Sequence, residues 1–281
     1  MKPDFPQCLI SEFREEYDIA HVATEKIITC STGCDFTQLT RHSPGLKGFN
    51  WENYIQLSSI RMVRALRMIR KRVEIGSEIL DFGSYFGNFS LMLALAGYKV
   101  TALDSYDVYG SCFQNHCDVL RQNSIEIMTF KDYEQSPDIR YHATLLMGVI
   151  EHIPHTPRLL LEGIHQKLIP SGLLVLDTPN ISYIYNRQKL ARGESIHPSI
   201  QSQYWTDMPF EGHHREFTEK EVLWMLTEAN FQPHESELFN YSLYGLSELK
   251  GVDFDNYNLM MSDPQLRELQ IHSATSLSKI D

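Results

Sequence analysis

Residues 79–104 read ILDFGSYFGNFSLMLALAGYKVTALD: a short apolar strand carrying an acid, a glycine-containing loop, an apolar helical run, and a second short strand ending in another acid. Strand, crossover helix and strand make one βαβ unit, whose two strands lie parallel. The loop holds Gly83 and Gly87, but Tyr85 and Asn88 stand where a G-x-G-x-x-G dinucleotide loop needs its second and third glycines. Such a loop brings bare backbone against a pyrophosphate, so Tyr85 argues against NAD and for a ligand without phosphates at this point.

Downstream, "ATLLMGV", "RLLLEGIHQKL" and "GLLVLDTPN" continue the alternation, which predicts an α/β fold with helices on both faces of a parallel sheet. Unbroken runs such as "LLVL" suit strands buried on both faces. Ligands of such sheets bind beyond the carboxyl ends of the strands. Residues 181–216 interrupt the pattern with a His-, Pro- and aromatic-rich insert, too long for an ordinary connection, and read as a lid. A helix follows, marked by a capping box of Thr218 and Glu221 ahead of Val222, Met225, Leu226 and Ala229. Past "FQPHESELF" a last strand is expected around 237–244 and the chain end is expected to fray.

Upstream, Ile55, Met62, Leu66 and Ile69 recur at helical spacing within residues 50–72, which predicts one amphipathic helix. Arg61, Arg64, Arg67, Arg70, Lys71 and Arg72 would form its wet face, or lie near an acidic substrate group. With "STGCDF" and "SPG" breaking the stretch before it, residues 1–72 read as an N-terminal helical cap and residues 73–281 as the ligand-binding domain.

Composition narrows the function classes. A chain of 281 residues, 42% hydrophobic, buries one large core or a core with an attached cap. Its formal charge of −11 argues against nucleic acid and anionic membrane as partners. Five irregularly spaced cysteines make no disulfide framework, and Cys30 and Cys34 lack a second ligand pair for zinc. The opening "MKPDFPQCLISEF" lacks the apolar run of a signal peptide, so a cytoplasmic location is expected. The oligomeric state stays open.

The segment from Ile79 to Asp104 resembles the first motif of class I S-adenosylmethionine-dependent methyltransferases, in which an acid and a G-x-G-x-G loop end strand one and another acid ends strand two. Asp81, Gly83 and Gly87 match that motif, Tyr85 replaces its middle glycine, and Asp104 lies 21 positions after Gly83, where the ribose-binding acid falls. "YHATLLMGVIEHIPHTPRLLLEGIHQKLIPSGLLVLDTPN" resembles the fourth strand, helix and fifth strand of the small-molecule branch. "HHREFTEKEVLWMLTEANF" resembles its last large helix, with Ala229-Asn230-Phe231 for the usual AGF.

The resemblance implies a Rossmann-like, doubly wound, mostly parallel seven-stranded sheet, S-adenosyl-L-methionine as cofactor and a small-molecule acceptor. Asp81, Gly83, Ser84, Tyr85 and Gly87 would meet the cofactor at the loop, Asp104 its ribose, Asp132 its adenine, and Met147 and Gly148 its sulfonium. Two glycines let the turn approach the methionyl part, and the free N–H groups of the next helix suit its carboxylate. Some quinone methyltransferases of this branch bind a metal through an extra acid before their Glu-His pair. That position here is Gly148, so Glu151 and His152 are read as capping and packing residues and no metal is expected.

Methyl transfer from an activated donor needs mainly alignment, worth on the order of 7–11 kcal/mol. An oxygen acceptor also gains from a base, for which His155, Tyr204, His213 and His214 are the candidates. Each has a plainer reading: His155 caps a turn, and one of the adjacent pair suffices to face the pocket. The expected function is methylation of a small-molecule oxygen, on a sugar or another secondary metabolite. Its rival is a non-catalytic protein that keeps the adenosyl pocket for regulation or scaffolding, for which Tyr85 is the best support; an NAD-dependent oxidoreductase stands third.

Overall fold

Seven strands form one sheet in the computed structural model, which describes residues 7–37, 39, 48–136, 138–206, 210, 212–241 and 254–278. The chain opens with α1 (Gln7–Glu12), α2 (Arg14–Ser31), α3 (Trp51–Leu57) and α4 (Ser59–Arg70). Strands and helices then alternate through β1 (Glu78–Phe82), α5 (Asn88–Leu95), β2 (Lys99–Leu103), α6 (Gln114–Gln122), β3 (Glu126–Met128), α7 (Phe130–Gln135), β4 (Tyr141–Met147), α8 (Arg158–Lys167) and β5 (Leu168–Pro179). The insert carries α9 (Ile184–Ala191) and α10 (Ile200–Trp205), and α11 (Glu219–Glu228), β6 (Phe231–Phe239), α12 (Phe254–Ser262) and β7 (Leu269–Ser276) complete the chain.

The strand order is β3-β2-β1-β4-β5-β7-β6, with β7 antiparallel to both neighbours and the other pairs parallel. This is the mostly parallel, Rossmann-like sheet expected from the sequence. Order reverses between β1 and β4, and the crevice beyond their carboxyl ends is where such sheets bind ligands.

Successive strand residues alternate between two apolar layers, which is why the runs are continuous. Ile79, Leu145 and Val175 face a core shared with Ala23 and Ile27 of α2, Met62 and Leu66 of α4 and Leu91 of α5. Leu80, Leu146 and Leu176 face the opposite layer with Leu161 of α8 and Val222 and Leu226 of α11. The N-terminal helices are therefore one wall of the main core. Thr218 and Glu221 form the expected capping box.

Three local expectations are corrected. The helix read over 50–72 is two helices broken at Ser58, with Asn50 capping α3 by accepting from the Asn53 N–H at 2.9 Å. Its arginines do not make one wet face: Arg61 and Arg64 are only 7% and 8% exposed. Both turn inward because acids await them, Asp177 for Arg61 and Glu237 for Arg64. Charge in the sequence reads as surface until its partner is seen.

The last correction concerns the tail. "FQPHESELF" is itself β6, and residues 242–244 lie outside the described residues. Leu269–Ser276 runs between β5 and β6 as β7, a strand not expected from the sequence, and residues 279–281, at the chain end expected to fray, lie outside the described residues. Two of its buried polar side chains are satisfied in place: the His272 ring bonds to Ser236 Oγ at 2.8 Å and Gln270 Oε1 at 3.0 Å. Among the described residues no helix is long and apolar enough to cross a membrane.

Candidate active site

At the carboxyl end of β1 the chain turns through left-handed backbone at Gly83 (φ +78°), Tyr85 (φ +48°) and Gly87 (φ +80°). A Cβ on Gly83 would stand 2.5 Å from Val149 Cγ2, so even a methyl group is excluded there. Tyr85 adopts the conformation of the glycine it replaces, at a strain of roughly 1–2 kcal/mol. Its N–H donates to Asp104 Oδ2 at 2.7 Å, and its ring packs edge-on to Phe86 and Phe113 at 4.6 and 5.4 Å. The loop thus keeps its path without a middle glycine. Gly83 and Ser84 donate backbone N–H groups to the Leu103 carbonyl, and Ser84 Oγ bonds to Tyr106 OH at 2.8 Å, which fixes the loop against β2.

The three acids expected near the cofactor have different surroundings. Asp104, just past β2, also accepts from the Ser105 N–H at 2.7 Å and is presented at the crevice. Asp81 lies inside the sheet, where it accepts from Ser90 Oγ at 2.5 Å and holds α5 to β1. Burial pushes its carboxyl up to about 7. Asp132 is exposed in the capping box of α7, accepting from Thr129 Oγ1 at 2.6 Å, while Phe130 beside it packs on Phe82 at 5.4 Å.

Asp81 carries a pH prediction. Its folded carboxyl keeps a proton to about 7, whereas an unperturbed one releases it near 3.8. Between those values the folded state binds more protons, so stability is fully present below the lower pH and declines as pH rises through the upper one. Asp81→Asn, which mimics the protonated acid, is expected to flatten that decline and to be more stable than wild type above neutrality, by an amount on the order of a few kcal/mol. Urea unfolding of both proteins at several pH values checks this; parallel curves contradict it.

Beyond β4 the floor of the crevice is polar. Gly148 has φ +66°, and a Cβ there would lie 2.7 Å from Arg61 Nη2. Thus the small residue beside the expected sulfonium makes room for a guanidinium. Arg61 donates from Nε and Nη2 to the two Asp177 carboxylate oxygens, both at 2.6 Å. Burial works against the Arg61 charge and Asp177 overrides it, raising its pKa.

Glu151 is not a helix cap. It is 3% exposed and accepts from Thr178 Oγ1 at 3.0 Å. Burial pushes its carboxyl up to about 7. His213 comes from the insert and donates from Nδ1 to Glu216 Oε1 at 3.0 Å, its ring edge-on to His152 at 4.8 Å. Burial acts to lower its pKa, but Glu216 and Glu151 together raise it.

The remaining base candidates lie elsewhere. His214 donates from Nε2 to the Phe210 carbonyl at 3.0 Å, and its backbone N–H to the Glu151 carbonyl at 2.7 Å, which ties the insert to the crevice. His155 is exposed and bonds to the Thr156 carbonyl at 3.3 Å. Tyr204 and Trp205 are 73% and 75% exposed and meet edge-on at 4.9 Å. Asn180 and Phe217 pair by a β-bridge across the base of the insert. Residues 207–209 and 211 lie outside the described residues. The Cys30 and Cys34 thiols each donate to a carbonyl of the α2 region.

Sequence reasoning missed Arg61, Asp177, Thr178 and Glu216 as members of this site. Asp177 carried a signal, because it follows the apolar run of β5 near the carboxyl end of that strand, as Asp104 follows β2. An open groove of about 490 Å³, lined by Arg70, Lys71, Val73 and Tyr98, lies by contrast at the amino ends of β1 and β2.

These features suit a methyl-transferring enzyme. A family model described as a methyltransferase domain matches residues 60–236, more than half of the chain. The chain belongs to the methyltransferase domain family. Its sheet order and glycine loop make it a class I, S-adenosylmethionine-dependent methyltransferase. No protein of curated function matches it in sequence.

Solved structures share the fold of this methyltransferase at low identity. The Burkholderia thailandensis 1,6-didemethyltoxoflavin-N1-methyltransferase, with bound 1,6-didemethyltoxoflavin and S-adenosylhomocysteine, is 17% identical at a TM-score of 0.52, covering 77% of this chain and 78% of its own. The magnesium protoporphyrin IX methyltransferase of Synechocystis, with bound S-adenosylhomocysteine, is 15% identical at 0.54, covering 81% and 87%. A Mesorhizobium loti S-adenosylmethionine-dependent methyltransferase is 16% identical at 0.54, covering 78% and 99%.

Proposed function

We propose that this enzyme methylates a hydroxyl oxygen of a small molecule, held where Glu151, His152 and His213 meet. The supporting observation is one of adjacency: Val149 fills the space beside Gly83, so the segment carrying Glu151 and His152 lies directly against the cofactor loop. S-Adenosylmethionine supplies the activated methyl group. The residues fit it, since the left-handed turn brings the bare backbone of Gly83 and Gly87 to the crevice and Asp104 presents a buried carboxylate just past β2.

In this reading Asp104 accepts from the ribose hydroxyls, and the Gly83–Gly87 backbone with the first turn of α5 receives the methionyl end. Met147 and Gly148 border the reacting centre, and Phe130 and Asp132 border the adenine. Arg61 and Asp177 hold α4 to β5 and so fix the floor of the crevice. The described parts of the insert, α9, α10 and residues 212–216, cover the acceptor and exclude water. Because the chain supplies alignment more than chemistry, its main contribution is to orient the acceptor oxygen.

His213→Ala is expected to lower turnover about 10²-fold while leaving cofactor affinity within about twofold. His155→Ala is expected to change neither. Release of S-adenosylhomocysteine, followed over a panel of phenols, catechols, sugars and aromatic amines, gives both the acceptor class and the variants' rates. Turnover on amines alone would overturn the oxygen assignment. Full turnover in His213→Ala would move the acceptor away from this corner.

A further inference from the structure

We propose that Glu151, His152 and His213 form a binding site for one divalent ion of the zinc class, joining the insert to the carboxyl end of β4. The inference goes beyond the methyl-transfer reading and departs from the sequence expectation of no metal. One ligand atom from each of the three side chains lies within 4.8 Å of the other two. Tetrahedral zinc with bonds of about 2.0–2.1 Å needs its ligands roughly 3.3 Å apart, so modest rotations of the exposed His152 and of His213 on the insert complete the geometry.

Two supporting contacts are already in place. His213 donates Nδ1–H to Glu216, which leaves the Nε2 lone pair for a metal, the carboxylate–histidine–metal arrangement that orients most ligating imidazoles. Thr178 Oγ1 donates to Glu151 Oε2 and so orients the carboxylate at this corner. The charge also fits a dication. Arg61 is spent on Asp177, and among the described residues no lysine or arginine forms an ion pair with Glu151 or Glu216. Two imidazoles and one carboxylate, with a fourth position left open, are the ligand set of a metal that also takes water or an acceptor oxygen.

The test uses the full chain, stripped with a chelator and titrated with Zn²⁺ by calorimetry and with Co²⁺ by visible absorption. One saturable site is expected, with a raised melting temperature in the presence of Zn²⁺. His152→Ala and His213→Ala should each lose that site, and Glu216→Gln should weaken it 10- to 100-fold through the orienting contact alone. Melting of each variant without metal controls for folding. Absence of saturable binding, or binding that survives both histidine variants, overturns the site. S-Adenosylhomocysteine affinity and methyl transfer, measured on the same stripped sample, separate this outcome from failure of the methyltransferase reading, because cofactor binding does not need the metal.

Discussion

Gly83→Ala should cost about 2–4 kcal/mol of stability and leave no measurable cofactor binding. Two effects add. The new Cβ would lie 2.5 Å from Val149 Cγ2, and overpacking of this kind costs roughly 1–3 kcal/mol. Alanine must also hold φ near +78°, at roughly 1 kcal/mol or more. Val149 is β-branched and cannot swing aside cheaply. Adding Val149→Ala should therefore recover the packing share but not the backbone share. Thermal melts of the single and double variants separate the two, and a single variant that melts and binds like wild type would mean the turn is misplaced.

Asp177→Ala should be more damaging still. It leaves the Arg61 guanidinium buried without its carboxylate, a situation that costs about 3–5 kcal/mol. Replacing both partners with apolar residues removes the orphan charge, so Arg61→Met with Asp177→Leu should be substantially more stable than Asp177→Ala alone. Arg61 also lies over the Phe89 ring at 5.5 Å, a contact that Met can keep in part. Denaturant unfolding decides the order. A single variant as stable as the double would show that the pair contributes only at the surface.

How much of this was legible in the sequence depends on where each residue finds its partner. β1, β2, β4 and β5 were readable because both of their faces are apolar, and the turn after β1 because its glycines announce a left-handed path. β7 was not, since Gln270, His272 and Ser273 are fully buried and polar. The His272 ring finds Ser236 on β6 and Gln270 finds the Phe217 carbonyl, partners that no local pattern reveals. Arg61 and Arg64 looked like surface for the same reason: Asp177 and Glu237 are distant in sequence. Asp81 and Asp104 follow similar apolar strands, yet only Asp104 stands past a strand end at the crevice. Of the adjacent pair His213 and His214, Glu216 claims the first and the Phe210 carbonyl the second, a choice that the doublet alone does not specify.

The most direct measurement is a calorimetric titration of wild type and Asp104→Ala with S-adenosylhomocysteine, alongside NAD. Wild type is expected to bind the adenosyl ligand at one site and NAD not at all. Asp104→Ala should weaken binding by about 1.5–3 kcal/mol, roughly 10- to 100-fold, through loss of a charge-assisted hydrogen bond to the ribose. Because Asp104 also accepts from the Tyr85 N–H, the melting temperature of the unliganded variant is measured with it, so that a loosened loop is told apart from a lost ligand contact. Binding of NAD in place of S-adenosylhomocysteine, or undiminished affinity in a well-folded Asp104→Ala, would contradict the placement of the cofactor at this loop.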